Sequence, residues 1–406
     1  MINSGDTAFM LIATALVMFM TPGLAMFYGG LVRAKHVLST MLQSFICLGI
    51  ITIIWILFGY SLAFGPDVGG VIGNFDWAFL SNVGFDTPSS YAGTIPALLF
   101  CMFQLMFAVI TPALITGAFA ERMKFSAFVI FTILWTICVY LPVCHWIWGG
   151  GWLGKMGLLD FAGGTVIHIN SAVAALVTAV MIGKRKGFGR ESFMPNNLPI
   201  TVLGAGILWF GWFGFNAGSA LNAGSTAITA FTATHIAGAS AAVSWIIAEW
   251  LIHGKPTTLG GASGAVAGLA SVTQSAGFVS PMSAMIIGLL GGVFCYLGMM
   301  IKNKFKFDDA LDVVAVHGIG GIWGCIATGL FASKAINSGG ADGLFCGNPK
   351  LLGIQLLGAA VTIIFSLVVT AIILKVTDKL VGLRVEPDEE QQGLDLSQHN
   401  EVGYTL

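Results

Sequence analysis

Charge is what this sequence lacks. Only 9% of its 406 residues are Asp, Glu, Lys or Arg, where soluble domains carry about a quarter, and the mean hydropathy is +0.87. A soluble globular chain is thereby excluded. Also missing is the alternation of apolar and polar residues that an outer-membrane barrel requires. Cysteine offers no framework: Cys47, Cys101, Cys138, Cys144, Cys295 and Cys325 lie in apolar stretches and Cys346 stands alone in a loop, with no Cys-x-x-Cys pattern. Met1 to Thr7 lacks the basic n-region of a cleavable signal, so the first helix is expected to carry the insertion signal, although a trimmed chain would read the same way. The net charge of −1 gives no reason to expect a nucleic-acid partner.

What is present is a series of apolar stretches, approximately 7–32, 37–64, 94–119, 126–147, 161–182, 198–218, 226–252, 259–275, 282–301, 313–333 and 351–383. At about 20 residues per span, they predict an all-α polytopic membrane protein with eleven transmembrane helices. An odd number puts the termini on opposite sides. Arg33, Lys35, Arg122, Lys124, the Lys184–Arg190 cluster, Lys255, Lys302, Lys304 and Lys306 fall in alternate connections, and the others hold only Lys155, Lys334 and Lys350. The positive-inside rule then predicts the N-terminus outside and the C-terminus inside. The loop 65–93 would fold over the outer side, with Phe75, Trp77 and Phe79 as interfacial anchors. Glycines recur at small-residue spacing within the spans, as in Gly260/Gly261/Gly264 and Gly288/Gly291/Gly292. Such seams let helices approach closely where apolar burial provides no driving force.

Two histidines stand deep in spans. In Asp-Phe-Ala-Gly-Gly-Thr-Val-Ile-His-Ile-Asn (160–170), His168 lies about 12 Å along the helix from Asp160, near the centre of a core about 30 Å thick. His317 reaches a similar depth in the tenth span. Ionisable groups there are rare and point to a substrate or proton path, and two at matched depth weaken the bland reading of a satisfied core imidazole. Each has an Asp on its N-terminal side, taken as Asp160 and Asp312. A step of five spans reverses direction, which predicts a five-plus-five inverted repeat plus one extra helix. The expected division is a transporter domain over 1–383, with repeat halves about 7–182 and 198–333 and the helix 351–383, followed by a cytoplasmic tail over 384–406. Two histidines without a third ligand make a poor metal site, so no metal and no cofactor are expected. Asp160 reads best as a helix cap.

Aromatic residues supply the third element. Trp212, Phe215 and Ser219 fall at i, i+3 and i+7 on one helix face. Trp148 ends the fourth span, and Phe103 and Phe107 form an i, i+4 pair in the outer third of the membrane. Aromatic faces attract a cation by about 0.5 to 2 kcal/mol, and a Ser hydroxyl accepts an N–H bond. No ring of carbonyls or carboxylates replaces the hydration of Na⁺ or K⁺. A cation able to shed its proton suits such a path: ammonium held at Trp148, Phe107 and Ser219, then ammonia passing His168 and His317. Return of that proton outside would make an ammonia channel, and its passage along the histidines a net charge movement; the sequence accommodates both.

Residues 160–170, 103–108 (Phe-Gln-Leu-Met-Phe-Ala), 110–122 (Ile-Thr-Pro-Ala-Leu-Ile-Thr-Gly-Ala-Phe-Ala-Glu-Arg), 212–219 (Trp-Phe-Gly-Phe-Asn-Ala-Gly-Ser) and 316–324 (Val-His-Gly-Ile-Gly-Gly-Ile-Trp-Gly) resemble the ammonium transporter family, Amt/Mep/Rh, in its Amt branch. The resemblance implies a multi-pass inner-membrane homotrimer, not an enzyme, with one pore per subunit. It implies a recruitment site at Trp148, Phe107 and Ser219, a stacked gate of Phe107 and Phe215, and a twin-histidine conduit of His168 and His317. Asp160, Phe103 and Trp212 would support them. A PII-type nitrogen signal protein would act at the tail, which departs from the family pattern at Gln392-Gly393-Leu394-Asp395 and His399-Asn400-Glu401. Ser397 in that tail reads as a solvated residue more readily than as a phosphorylation point. The competing reading is an ammonium sensor that signals through the tail with little flux, and a third is a carrier for another organic amine.

Overall fold

The computed structural model describes residues 1–404. Eleven apolar helices form one bundle: α1 (Ser4–Leu31), α2 (Ala34–Phe64), α3 (Ala97–Phe119), α4 (125–147), α5 (Gly164–Ile182), α6 (Leu198–Gly218), α7 (Ser225–His253), α8 (Thr258–Val272), α9 (Pro281–Phe305), α10 (Val314–Phe331) and α11 (Pro349–Val381). Among the described residues ten of these regions are long and apolar enough to cross a membrane; α8, with 15 residues, is shorter than the expected 259–275. The difference has a local cause. After Val272 the chain leaves the helix, and Thr273 and Gln274 turn their side chains to partners on other elements: Trp212 Nε1 donates to Thr273 Oγ1 at 2.9 Å and Gln274 Nε2 to the Leu159 carbonyl at 2.9 Å.

Helix contact is made through small residues. α1 packs along α6 in the most extensive helix pairing of the bundle. In the second half, a side chain at Gly268 or Gly288 would collide with the backbone carbonyl of Ala237 on α7. Three backbones therefore meet with almost nothing between them, which is how helices associate when lipid is as apolar as the side chains.

The connection 65–96 covers one face of the bundle and includes a two-residue antiparallel ribbon, Asp67–Val68 with Ile72–Gly73. Asp67 fastens it, accepting from Lys155 Nζ at 2.6 Å and facing His145 Nε2 at 3.1 Å; those partners hold its carboxyl down at about 2. Of its aromatics, Phe75, Phe79 and Phe85 are exposed, while Trp77 is half-buried and stacks on Tyr60 with centroids 5.6 Å apart.

The opposite face carries the tail, which folds onto the bundle as α12 (Pro387–Gln392) and α13 (Leu394–His399). Asp395 accepts from Leu38 N at 3.0 Å and Ser39 N at 2.8 Å near the start of α2, and Glu390 accepts from Lys186 N. Beneath lies a buried ionic cluster. Glu121 accepts from Arg33 N and Nε at 2.7 and 2.8 Å and from Arg185 Nη1 at 3.4 Å, while Arg185 Nη2 donates to Asp308 at 2.8 Å. Burial alone would raise the Glu121 carboxyl, but Arg185 and Arg33 outweigh it and hold it below its ordinary range.

The small-residue contact is testable. Gly288→Ala places a methyl group against the Ala237 carbonyl and is expected to destabilise the bundle by about 1 to 3 kcal/mol. Gly206→Ala, where nothing lies within 4 Å, should leave it unchanged; thermal unfolding of the detergent-solubilised protein measures both.

Candidate functional site

The first turn of α5 is set by one carboxylate. Asp160 Oδ1 accepts from Gly163 N and Gly164 N at 2.7 and 2.8 Å, and Oδ2 from Thr165 N and Val166 N at 2.8 and 3.0 Å. Four N–H groups that a helix start leaves unpaired thus converge on one side chain. Gly163 makes the convergence possible with φ of +114°, and Gly164 lies where a Cβ would strike Gln274. Four N–H donors and no acceptor face the carboxyl group, an arrangement that favours its ionised form. The turn that follows, Gly164–Ile169, is a wide π-helical one, and it carries His168.

α10 repeats the device. Val314–Ile319 is again π-helical and carries His317. The carboxylate in front of it is Asp309, which accepts from Val313 N at 3.2 Å and Val314 N at 2.8 Å. Asp312, the residue expected in this role, instead takes φ of +59° and pairs with Lys302 Nζ at 2.6 Å. The spacing explains the correction: Asp160 precedes His168 by eight residues and Asp309 precedes His317 by eight, whereas Asp312 lies five away and is too close to reach back over the wide turn.

The two imidazoles meet. Nδ1 of His168 and Nδ1 of His317 are 3.2 Å apart, and the rings are nearly parallel at 14° with centroids 5.1 Å apart. A contact between like nitrogens needs one proton, so one ring donates and the other accepts. Trp212 stacks on His168 at 5.5 Å and is itself locked through Thr273. Sequence reasoning missed Thr273 and Gln274, single polar residues in an apolar run that no periodicity marks. It also missed Asp309, which the shared eight-residue offset would have revealed.

Two cavities flank an aromatic pair. The one nearer the 65–96 connection has a volume of about 310 Å³ and is lined by Phe107, Trp148, Asp160, Ser219, Phe100 and Gln104, among others. The second, about 280 Å³, holds His168, His317, Trp212 and Phe215 and runs to Glu249 and Asp312 on the tail side. Between them Phe107 and Phe215 lie with centroids 4.4 Å apart, tilted by 43°. Trp148 meets Phe107 edge-on at 5.9 Å, and its Nε1 donates to the Asp160 carbonyl at 2.8 Å. Ser219 donates to the Phe215 carbonyl at 2.8 Å, which leaves its oxygen lone pairs free to accept. Phe103, fully buried, packs edge-on behind Phe107 at 4.9 Å and does not line the cavity. Phe107, Trp148, Trp212, Phe215, His168 and His317 thus form one column, with Phe103 directly behind it.

Residues 8–404 match the sequence pattern of the Ammonium Transporter Family. The chain belongs to that family. The transporter is 53% identical over 401 residues to an ammonium transporter of Bacillus subtilis, covering 98% of each chain. It is 49% identical to Ammonium transporter Amt1 of Archaeoglobus fulgidus, covering 99% of this chain and 100% of that one. Its fold matches the crystal structure of Saccharomyces cerevisiae Mep2 with a TM-score of 0.89 at 34% identity, over 95% of this chain and 88% of the other. It is accordingly an ammonium transporter and a multi-pass plasma-membrane protein, built on the all-α plan expected from its apolar stretches.

Removing the Asp160 side chain should expose the turn's dependence on it. Asp160→Ala leaves four buried N–H groups unpaired, and at about 1 to 3 kcal/mol for each such loss it is expected to lower stability by at least about 4 kcal/mol. Asp309→Ala, with two N–H groups affected, should cost less. Thermal unfolding of the two variants side by side checks the order.

Proposed function

We propose that the transporter takes ammonium from the side of the 65–96 connection, removes its proton near the Phe107–Phe215 pair, and conducts ammonia past His168 and His317 towards the tail side. In this reading the N-terminal face is external and the tail cytoplasmic, in keeping with the bias of Lys and Arg towards the tail-side connections. Trp148, Phe107 and Ser219 form the recruitment site, Phe107 and Phe215 the gate, and Asp160, Phe103 and Trp212 hold them in place. The observation that carries the reading is the arrangement of the two cavities: an acceptor-bearing aromatic cavity on one side of a closed ring pair, and on the other an apolar cavity whose polar groups at mid-depth are two imidazoles.

The chemistry follows from dehydration. A cation entering the second cavity would lose its water with no ring of oxygens to replace it, and an unpaired charge at the membrane centre costs at least about 2.5 kcal/mol. A neutral amine avoids that penalty. Cation–π attraction at Trp148 and Phe107 holds the charged form outside the gate, and the free lone pairs of Ser219 give it an N–H acceptor. The paired imidazoles then give ammonia both a donor and an acceptor along an otherwise apolar path. Residues 1–383 would form the transporting unit, in two inverted halves plus α11, and residues 384–406 the regulatory tail. We further propose a homotrimer with one pore per subunit and, at the tail face, contact with a PII-type nitrogen signal protein. The sensor reading is not favoured, since the Bacillus subtilis and Archaeoglobus fulgidus relatives, at 53% and 49% identity, are named ammonium transporters.

Proteoliposomes loaded with the wild-type protein should take up ammonium or methylammonium above empty vesicles; binding without uptake would overturn the proposal. Trp148→Leu should raise the apparent ammonium affinity constant about fivefold, equivalent to about 1 kcal/mol of lost cation–π attraction. His168→Leu and His317→Leu should fold but change conductance or the discrimination against potassium. Unchanged transport in both would refute a role for the histidine pair.

A further inference from the structure

The polar groups of the aromatic cavity are almost all engaged. Both oxygens of Asp160 are taken up by four backbone N–H groups. Trp148 Nε1–H is given to the Asp160 carbonyl, and the Ser219 hydroxyl proton to the Phe215 carbonyl. One side chain in the wall is different. Gln104, on α3 three residues before Phe107, lines the cavity at 8% exposure, and its Oε1 is buried with no hydrogen-bond partner.

An amide oxygen left without a donor in such a place is unfavourable and is normally satisfied. Its position says which donor fits. An ammonium ion brings four N–H groups and has to replace the water around each as it comes against the Phe107 ring. Ser219 offers one oxygen. The aromatic faces attract the charge but accept no strong hydrogen bond. Phe107 and Gln104 are i and i−3 on the same helix, so their side chains are surface neighbours. Half a turn about the terminal torsion of Gln104, which has two broad wells, swings the carbonyl between the wall and the open cavity.

We propose that Gln104 is a substrate-binding residue of the outer cavity: its carbonyl oxygen accepts an N–H of ammonium as the ion loses water, opposite Ser219 and beside the Phe107 face. This rests on the reading of the cavity as the recruitment site. It adds a specificity element that the aromatic residues do not provide. Cation–π attraction treats any small cation similarly, whereas a neutral amide oxygen placed against a dehydrated ion favours one whose protons point at it. A carboxylate here would bind more strongly and less selectively, and would hold back the ion's proton.

The test uses the full-length protein in proteoliposomes, with ammonium as the probe, and compares Gln104→Met, Gln104→Glu and Trp148→Leu. Gln104→Met keeps the length and volume of the side chain and removes the acceptor. It should raise the apparent KM for ammonium about tenfold while the maximal rate stays within about twofold, since one hydrogen bond to a charged group is lost. Gln104→Glu, which restores an acceptor, should return KM to the wild-type value or below. If Trp148→Leu raises KM and Gln104→Met does not, Gln104 is a packing residue and the proposal fails while the recruitment site stands. If neither variant changes KM, the recruitment reading itself fails and takes this proposal with it. A fall in maximal rate at unchanged KM in Gln104→Met would also overturn it, because that pattern belongs to disturbed packing behind the Phe107 gate.

Discussion

The Asp160 carboxylate, with four backbone N–H groups closed around it, is the interaction on which the column depends. It lies in the wall of the outer cavity, beside Trp148 and Ser219. On one side its backbone carbonyl fixes the indole of Trp148, and on the other its side chain winds the turn that presents His168. A helix that begins inside a membrane cannot rely on water to satisfy its first amide groups. The side chain that replaces water there also decides where the next turn points, so a local need for hydrogen bonds becomes a statement about the position of an imidazole eight residues later.

Much of this was legible in the sequence, and for physical reasons. Apolar stretches in a chain with so little charge have one solution, the spanning helix, and all eleven regions are found near their expected limits. His168 and His317 stood out because an ionisable group at mid-depth is expensive wherever it is placed. Trp148, Phe107, Phe215 and Ser219 were legible only as a set, since any one of 30 phenylalanines is unremarkable on its own. The contacts made by Thr273, Gln274 and Asp309 were not legible. Thr273 and Gln274 join segments far apart in the chain, and no periodicity announces such a contact; Asp309 bonds only four and five residues ahead, and its one signal was the eight-residue offset it shares with Asp160. The choice of Asp312 over Asp309 shows the difficulty: two acidic residues near one helix start look alike until the width of the turn is known.

The two faces of the bundle are held by different forces. On the side of the 65–96 connection, aromatic contacts and a single fastened ribbon leave the cavity open. On the tail side, Arg33, Glu121, Arg185 and Asp308 form a buried ionic cluster on which α12 and α13 rest. Ion pairs buried this deeply contribute little net stability, but breaking one partner is costly, so the cluster fixes geometry more than it adds free energy. Asp308 is held by Arg185, and the next residue, Asp309, winds the turn of His317. The ordering of the tail face and the position of the second histidine are thus joined through two adjacent carboxylates.

The contact between the two Nδ1 atoms has a consequence for symmetry. Two similar turns, each wound around an aspartate, deliver their histidines to a common midpoint, yet the single proton between the nitrogens cannot be divided equally. Two neutral arrangements satisfy the contact, one with the shared proton on each ring, and in each the accepting ring carries its own proton on Nε2. Converting one into the other takes more than a shift of the shared proton: one Nε2 must also lose its proton and the other gain one, so the polarity of the pair reverses only when protons are exchanged at both outer nitrogens.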